Sequence, residues 1–391
     1  MYTPDFAPEI NIRKDKVVAA LKAMNTDAIL LGTNVNNYYM AGRVFSGYVY
    51  ITSEGYMHYF VKRPALLKGD DVTYIRKPED IPALLQQAGI EAPATIALEM
   101  DFMSYSDIAR LAKVFPEATP SNGSAIMRYV RSTKTAYEIE KIRISAQGHM
   151  SVYSNLQGIY RPGMTDAELQ IEIESRLRRA GCLGIFRVAG PSMEVFMGSL
   201  ISGDNADNPS PYDFAMGGAG LDASLPVGCN GTVIEPGMST MVDLCGNFTG
   251  YMTDISRTYW VGTLSELAHK AHNCSVAIHH AIAAMARPGV KASDVYNLAR
   301  TMAEEAGLAE YFMGHAQQAG FIGHGVGIEI NEAPVLAPRS RDVFEAGNVI
   351  ALEPKFVIPG TGAVGIENTY LITADGCENL TDFTEDIMPL D

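Results

Sequence analysis

The chain of 391 residues has few cysteines, little positive charge and no long apolar run. Its five cysteines are scattered, and no two are spaced as C-x-x-C, which excludes a zinc ribbon or a disulfide framework and favours reduced thiols. The formal net charge of −15 argues against a nucleic-acid-binding surface, which usually needs a basic stripe. No stretch has membrane-spanning length, and the first residues do not resemble a signal peptide. We therefore expect a cytoplasmic protein that binds neither nucleic acid nor membrane.

The length predicts two domains, and we place their boundary between residues 131 and 132. Helical and strand-like patterns alternate over the first domain, which predicts a small α/β unit. The expected helices cover residues 13–24, 78–88 and 104–115, and the expected strands cover 28–31, 49–52, 56–61 and 94–98. A long amphipathic helix from residue 136 to about 156 then opens the second domain.

The second domain repeats itself at an interval of 126 residues. Two short patterns recur at this same offset: Arg161-Pro162-Gly163 with Arg287-Pro288-Gly289, and Ala180-Gly181 with Ala306-Gly307. Thr165 and Glu168 form a capping box for a helix of the first copy, and Ser293 is expected to cap its counterpart. We therefore predict a duplicated helix–helix–sheet unit whose antiparallel sheets join into one curved surface.

Each copy contains one pair of acids arranged symmetrically about a turn. Asp243 and Asp254 are equidistant from the centre of a predicted β-hairpin, and Glu353 and Glu367 are equidistant from Gly360. If the acids of each pair lie directly opposite each other, their Cβ atoms are ~5 Å apart. Four acids in apolar surroundings repel one another, so they need cations or shared protons. We interpret them as a metal site.

A fifth candidate ligand, His324, lies among glycines that let the backbone approach closely. Alone, such a histidine is more often structural. Together with the four acids it suits two closely spaced divalent ions, with Mn or Co favoured and Zn or Fe still open. The hypothesis requires that the five side chains converge and that no arginine or lysine already neutralises the acids.

These motifs resemble those of the pita-bread metallopeptidase superfamily, which includes aminopeptidase P, prolidase, methionine aminopeptidase and creatinase. The resemblance lies in segments 243–246 and 250–258, Gly323-His324-Gly325-Val326-Gly327, Glu353-Pro354 and Gly365-Ile366-Glu367. It covers the chain from about residue 134 onwards. Segment 34–42 is more loosely similar to the creatinase/prolidase N-terminal domain. The expected fold is α+β, with a C-terminal pita-bread domain behind a smaller N-terminal α/β domain.

The resemblance implies a set of roles for these residues. Asp254 and Glu367 would bridge both ions, Asp243 would bind one ion, and His324 and Glu353 would bind the other. A hydroxide between the ions would attack a scissile carbonyl. Glu353 and His324 are the expected catalytic residues, with Glu353 passing a proton to the leaving nitrogen. The expected activity is that of an Xaa-Pro aminopeptidase or dipeptidase acting on small peptides, and the expected assembly is a homodimer.

Several positions depart from the family pattern. Val227 and Asn331 replace two histidines that contact substrate, and Gly365 replaces an arginine. Lys355 replaces the glycine after Glu-Pro, and Asn368 replaces an acid. The expected metal ligands are thus intact while the substrate contacts are altered. Two alternatives stay open: a creatinase-like metal-dependent enzyme acting on a small non-peptide substrate, and a non-catalytic peptide-binding relative.

Overall fold

A computed structural model describes residues 6–190, 194–214 and 216–390. The chain divides into two compact units between residues 131 and 132. None of the helices in these ranges is long and apolar enough to cross a membrane.

The first unit is built on a mixed six-stranded sheet. Its strands are β1 (Ala28–Leu31), β2 (Ser46–Thr52), β3 (Met57–Arg63), β4 (Val72–Tyr74), β5 (Thr95–Leu98) and β6 (Thr119–Asn122), in the order β4-β3-β2-β1-β5-β6. Its helices are α1 (Ala7–Ala23), α2 (Asn34–Ala41), α3 (Ile81–Gln87), α4 (Tyr105–Val114) and α5 (Ser124–Ser132). β1 has the predicted bounds, and the predicted hairpin is formed by β2 and β3.

The second unit contains two pairs of helices. They are α6 (Ala136–Tyr153) with α7 (Asp166–Arg179), and α8 (Glu266–Met285) with α9 (Ala292–Glu305). α7 and α9 have 14 residues each, and their first and last residues are both 126 positions apart, as the repeat predicts. The Thr165–Glu168 capping box is present. The prediction for Ser293 is wrong, because α9 begins at Ala292, two residues earlier than a Ser293 cap requires, and Lys291 takes the cap position.

Among the residues that the structure describes, two sheets and one extra hairpin complete the second unit. The first sheet has the order β17-β9-β8-β7, with β7 (Gly198–Ser202), β8 (Ser239–Asn247), β9 (Met252–Trp260) and β17 (Met388–Pro389). The second has the order β11-β10-β12-β15-β16, with β10 (Gly323–Gly325), β11 (Glu332–Val335), β12 (Val349–Leu352), β15 (Asn368–Ile372) and β16 (Cys377–Asn379). β13 (Lys355–Ile358) and β14 (Gly362–Gly365) form the hairpin.

Each helix pair packs against the sheet of its own half. Ile173 of α7 and Tyr153 of α6 share a buried cluster with Val242, Leu244 and Ile255 of β8 and β9. In the other half, residues of α8 and α9 share a cluster with strands β12 to β15. A bridge between Ser256 and Glu367 links the two sheets. The acids therefore lie where the two halves of the duplicated unit meet.

Candidate metal centre

The first acidic hairpin has a different register from the predicted one. Asp243 pairs with Ser256, and Asp254 pairs with Cys245, so the two aspartates are diagonal neighbours and not direct partners. The reason is that the loop covers residues 248–251, so its centre lies one position later than the midpoint between the two aspartates, and the cross-strand pairing shifts by two positions. A shift by an even number of positions keeps both carboxylates on one face of the sheet.

The second acidic hairpin has the predicted register. Lys355 pairs with Gly365 in the β13–β14 ladder, and Leu352 pairs with Asn368 in the β12–β15 ladder. Glu353 and Glu367 lie in the break between these two ladders, at corresponding positions on the two strands. Because neither residue belongs to a ladder, their side chains do not have to follow the alternation of faces along a regular strand.

His324 is the central residue of β10, between β11 and β12. A Cβ atom at Gly323 would lie 2.3 Å from the Ala351 carbonyl oxygen, and one at Gly325 would lie 2.1 Å from that of Ala333. Glycine is therefore required on both sides of the histidine, because any side chain would push the neighbouring strands away.

The five candidate residues converge at one wall of a cavity. Ligand atoms of Asp254, His324 and Glu367 lie within 4.8 Å of one another, as do those of Asp243, Glu353 and Glu367. Glu367 belongs to both groups. The cavity has a volume of about 300 Å³. Its other walls are largely apolar and include Phe186, Val188, Phe214, Phe321 and Ile330.

Lys355 places its ammonium group inside the second of these groups. Nζ lies 2.8 Å from Asp243 Oδ2, 2.9 Å from Glu353 Oε2 and 2.9 Å from Glu367 Oε2. The lysine side chain is fully buried. The sequence interpretation required that no lysine neutralise the acids, and for three of the four this requirement is not met. Its replacement of a glycine was visible in the sequence, but the direction of its side chain was not.

The remaining contacts of Glu367 and Glu353 are specific. Glu367 Oε2 also accepts a hydrogen bond of 2.6 Å from Ser256 Oγ. Glu367 Oε1 is buried and has no hydrogen-bond partner among the described residues. Glu353 Oε1 lies 3.4 Å from His324 Nε2. The two carboxylate oxygens of Glu367 thus differ: Oε2 accepts two hydrogen bonds, and Oε1 accepts none from the described residues.

Burial and charge divide the pKa values within the cluster. Burial raises the pKa of Glu353, but the Lys355 ammonium and His324 outweigh it and bring the value to about 2. Burial raises the pKa of Glu367 to about 8, because the nearby Glu353 and Asp243 carboxylates add to the effect against the Lys355 ammonium. Burial and the Glu367 carboxylate raise the pKa of Asp254 well above its usual range. Asp254 and Glu367 are therefore the acids of the cluster whose charged forms are least compensated by their surroundings.

The two groups differ in how well they fit a divalent ion. Asp254, His324 and Glu367 offer carboxylate and imidazole donors, which divalent transition metals accept, and the free Glu367 Oε1 lacks any other partner. This group fits an ion. Asp243, Glu353 and Glu367 offer a suitable donor set as well, but Lys355 already contacts all three carboxylates. That group does not fit an ion while the ammonium stays in place.

The two positions where the family pattern has substrate histidines lie in different surroundings. Val227 is buried and does not line the cavity. Asn331 lines the cavity, but its side-chain amide makes two hydrogen bonds to the backbone of Ala189. Asn331 Oδ1 accepts from Ala189 N at 2.7 Å, and Asn331 Nδ2 donates to the Ala189 carbonyl oxygen at 3.1 Å. Asn331 therefore holds the loop that carries Phe186 and Val188.

Comparison with known proteins shows the same two-part organisation. Residues 140–374 match the model of metallopeptidase family M24, and residues 13–133 match the creatinase/prolidase N-terminal domain. The Xaa-Pro dipeptidase of Pyrococcus furiosus is 25% identical over 380 residues, which cover 94% of this chain and 97% of that protein. The Xaa-Pro dipeptidase of Lactobacillus helveticus is 27% identical over 295 residues, which cover 75% of this chain and 72% of that protein.

Solved structures show the same fold. The Xaa-Pro dipeptidase from Bacillus anthracis superposes with a TM-score of 0.79 at 24% identity, covering 97% of this chain and 99% of that chain. The prolidase from Pyrococcus horikoshii superposes with a TM-score of 0.76 at 23% identity, covering 96% and 99%. The second unit thus has the pita-bread fold, and the first unit is a creatinase-type N-terminal domain.

The chain belongs to metallopeptidase family M24. It is accordingly a hydrolytic enzyme, and the family implies the use of divalent metal ions. The predicted superfamily, the fold class and the hydrolase class are confirmed. Family membership is also consistent with a pair of ions, whereas the Lys355 ammonium is a feature of this chain's own site.

Proposed function

We propose that this chain is a metal-dependent exopeptidase of the Xaa-Pro dipeptidase or Xaa-Pro aminopeptidase type. The observation that carries the proposal is similarity to Xaa-Pro dipeptidases over 94% to 95% of the chain. The cavity beside the five candidate residues is at the lower end of the size range of small-molecule sites. A dipeptide or the end of a short peptide suits such a cavity.

Asp254, His324 and Glu367 would hold a divalent ion, with Asp243 and Glu353 completing the acidic wall. A bound ion would supply Lewis acidity toward the scissile carbonyl and lower the pKa of a water molecule. Glu353 and His324 are our proposed catalytic residues. Glu353 lies beside the cavity, which places its carboxylate to accept a proton and return it to the leaving nitrogen, and its contacts with His324 and Lys355 fix its position.

The finer properties follow from the resemblance and from composition. We propose Mn or Co as the ion, because the donor set is rich in carboxylate oxygens. We propose a homodimer, the assembly that the resemblance implies, and a cytoplasmic location, which the scattered cysteines favour. Light scattering of the purified protein measures the oligomeric state, and cell fractionation measures the location.

The peptidase proposal is tested by direct assay. Purified protein loaded with Mn or Co is given a panel of Xaa-Pro dipeptides, longer Xaa-Pro peptides and matched Xaa-Ala peptides, and release of the N-terminal residue is measured. We expect turnover of Xaa-Pro substrates and little turnover of Xaa-Ala substrates. No turnover of any peptide at any metal loading would overturn the proposal.

A second candidate function has its own supporting observation. Asn331 and Val227 stand where the resemblance places substrate histidines, so neither position offers an imidazole to a peptide. The Asn331 side-chain amide is hydrogen-bonded to Ala189 at both ends, and Val227 does not line the cavity. This arrangement favours a creatinase-like enzyme acting on a small non-peptide substrate. A metabolite screen that detects release of a product in the absence of peptide cleavage would support it. Peptide binding without any turnover would instead indicate a non-catalytic relative.

A further inference from the structure

We propose that the Lys355 ammonium takes the place of one metal ion, so that the site binds a single divalent ion through Asp254, His324 and Glu367. The inference adds to the proposed function and rests on it only in that the chain uses a divalent ion. It concerns the number of ions and not the identity of the substrate.

The geometry identifies which ion position the lysine fills. Asp243, Glu353 and Glu367 are the members of one group with metal-binding geometry, and they are also the three carboxylates that Nζ contacts at 2.8 to 2.9 Å. A zinc ion, for example, lies about 2.0–2.2 Å from the carboxylate oxygens that bind it. An ion bound to this group would therefore lie against Nζ, and the two cations would repel each other strongly at such a distance.

The Lys355 ammonium is part of the folded chain, so it occupies this position without having to bind from solution. The main chain of Lys355 is fixed on both sides. Its carbonyl oxygen accepts a 2.8 Å hydrogen bond from Met313 N, and Lys355 pairs with Gly365 in the β13–β14 ladder. The side chain is fully buried along its length. A free ion must therefore displace a tethered cation that already makes three charge-assisted hydrogen bonds.

The other group, formed by Asp254, His324 and Glu367, has an unpaired carboxylate oxygen that an ion could contact. Ser256 Oγ and Lys355 Nζ both donate to Glu367 Oε2, which leaves Oε1 buried and without a partner in the described part of the chain. An unpaired buried carboxylate oxygen is costly. An ion held by Asp254, His324 and Glu367 would supply the missing partner.

Metal counting tests the proposal. Metal-free protein is titrated with Mn²⁺, and bound Mn²⁺ is measured by elemental analysis after desalting and by electron paramagnetic resonance. We expect one ion per wild-type chain, with the signal of an isolated ion, and two ions per Lys355→Met chain, with the signal of a coupled pair. Lys134→Met is the matched control, because Lys134 is a buried lysine paired with Glu332 at 3.1 Å; this variant should bind one ion.

Two ions, or none, in the wild-type chain would overturn the proposal, as would a single ion in a folded Lys355→Met variant. If that variant does not fold, the anomalous signal of Mn in a wild-type crystal decides. A peak beside Asp254 and His324 supports the proposal, and a peak within bonding distance of Asp243 contradicts it. The outcome is independent of the peptide assays, because ion number can be one whether or not Xaa-Pro peptides are cleaved.

Discussion

Lys355 faces Gly365 directly across the β13–β14 hairpin. The resemblance to the pita-bread superfamily places a glycine at the first of these positions and an arginine at the second, so this chain has the cation and the glycine exchanged between the paired strands. Gly365 has a φ of +131°, and a Cβ atom there would lie 3.1 Å from Lys355 Cα and 3.0 Å from the Pro354 carbonyl oxygen. Glycine at residue 365 therefore lets the two strands approach while the lysine turns toward the acids.

The lysine is expected to stabilise the metal-free protein. Lys355→Met removes the counter-charge of three acids, and breaking a buried ion pair in this way costs about 3–5 kcal/mol. Urea unfolding in the presence of a chelator measures the loss, and added Mn²⁺ should recover much of it in the variant. Lys134→Met breaks another buried pair, so it should also lose stability but gain nothing extra from Mn²⁺. A Lys355→Met protein as stable as wild type with chelator would contradict this account.

Asp254 is expected to be essential for ion binding. Asp254→Asn removes a carboxylate from the group formed by Asp254, His324 and Glu367, and even residues that only support a ligand change metal affinity by ~10–100-fold. We expect Mn²⁺ affinity to fall by at least ~100-fold and hydrolysis to be lost with it. Titration with Mn²⁺ measures the first effect. The exposed Asp382→Asn serves as the control, and unchanged metal content in Asp254→Asn would refute the ligand role.

The sequence allowed the candidate site to be located because its signals are local. The acids of each pair are separated by short turns, and even the two-position error in the β8–β9 register left Asp243 and Asp254 on the same face. The capping box at Thr165 and the 126-residue repeat likewise depend on neighbouring residues, so α7 and α9 could be predicted.

The role of Lys355 could not be predicted in this way. A lysine is almost never buried unless it is paired, and its partners here come from β8, from the residue after β12 and from the residue before β15. Which side chain fills the space between three acids depends on how the two sheets meet. The orientation of Asn331 toward Ala189, a residue 142 positions away, is unpredictable for the same reason.

Acid is expected to destabilise the protein partly through His149. This imidazole is fully buried, and burial lowers its pKa from 6.5 to about 3, with Arg257 adding to the effect. The unfolded chain takes up a proton below pH ~6.5 and the folded chain does not until pH ~3, so stability falls as the pH falls through this window. At pH 5 the expected loss is about 2 kcal/mol.

Urea unfolding at pH 7.5 and pH 5.0 measures this contribution. The His149→Gln variant should lose about 2 kcal/mol less than the wild type between the two pH values, whatever its stability at pH 7.5. His269→Gln, at an exposed position of α8, is the control and should show the wild-type difference. Equal differences for wild type and His149→Gln would show that this histidine does not contribute.

Asn331 is expected to affect substrate binding without affecting the ion. Its amide makes two hydrogen bonds to Ala189, and Ile330 N donates a third, of 2.8 Å, to the Arg187 carbonyl oxygen, so this contact positions the loop bearing Phe186 and Val188. Asn331→Ala should cost about 1–2 kcal/mol of loop positioning, which corresponds to a roughly 5- to 30-fold rise in KM with a smaller change in kcat. Steady-state kinetics with an Xaa-Pro dipeptide measure both constants. Asn155→Ala, at an exposed position, should leave them unchanged. Loss of bound Mn²⁺ in Asn331→Ala, or an unaltered KM, would mean that the amide does not position this wall of the cavity.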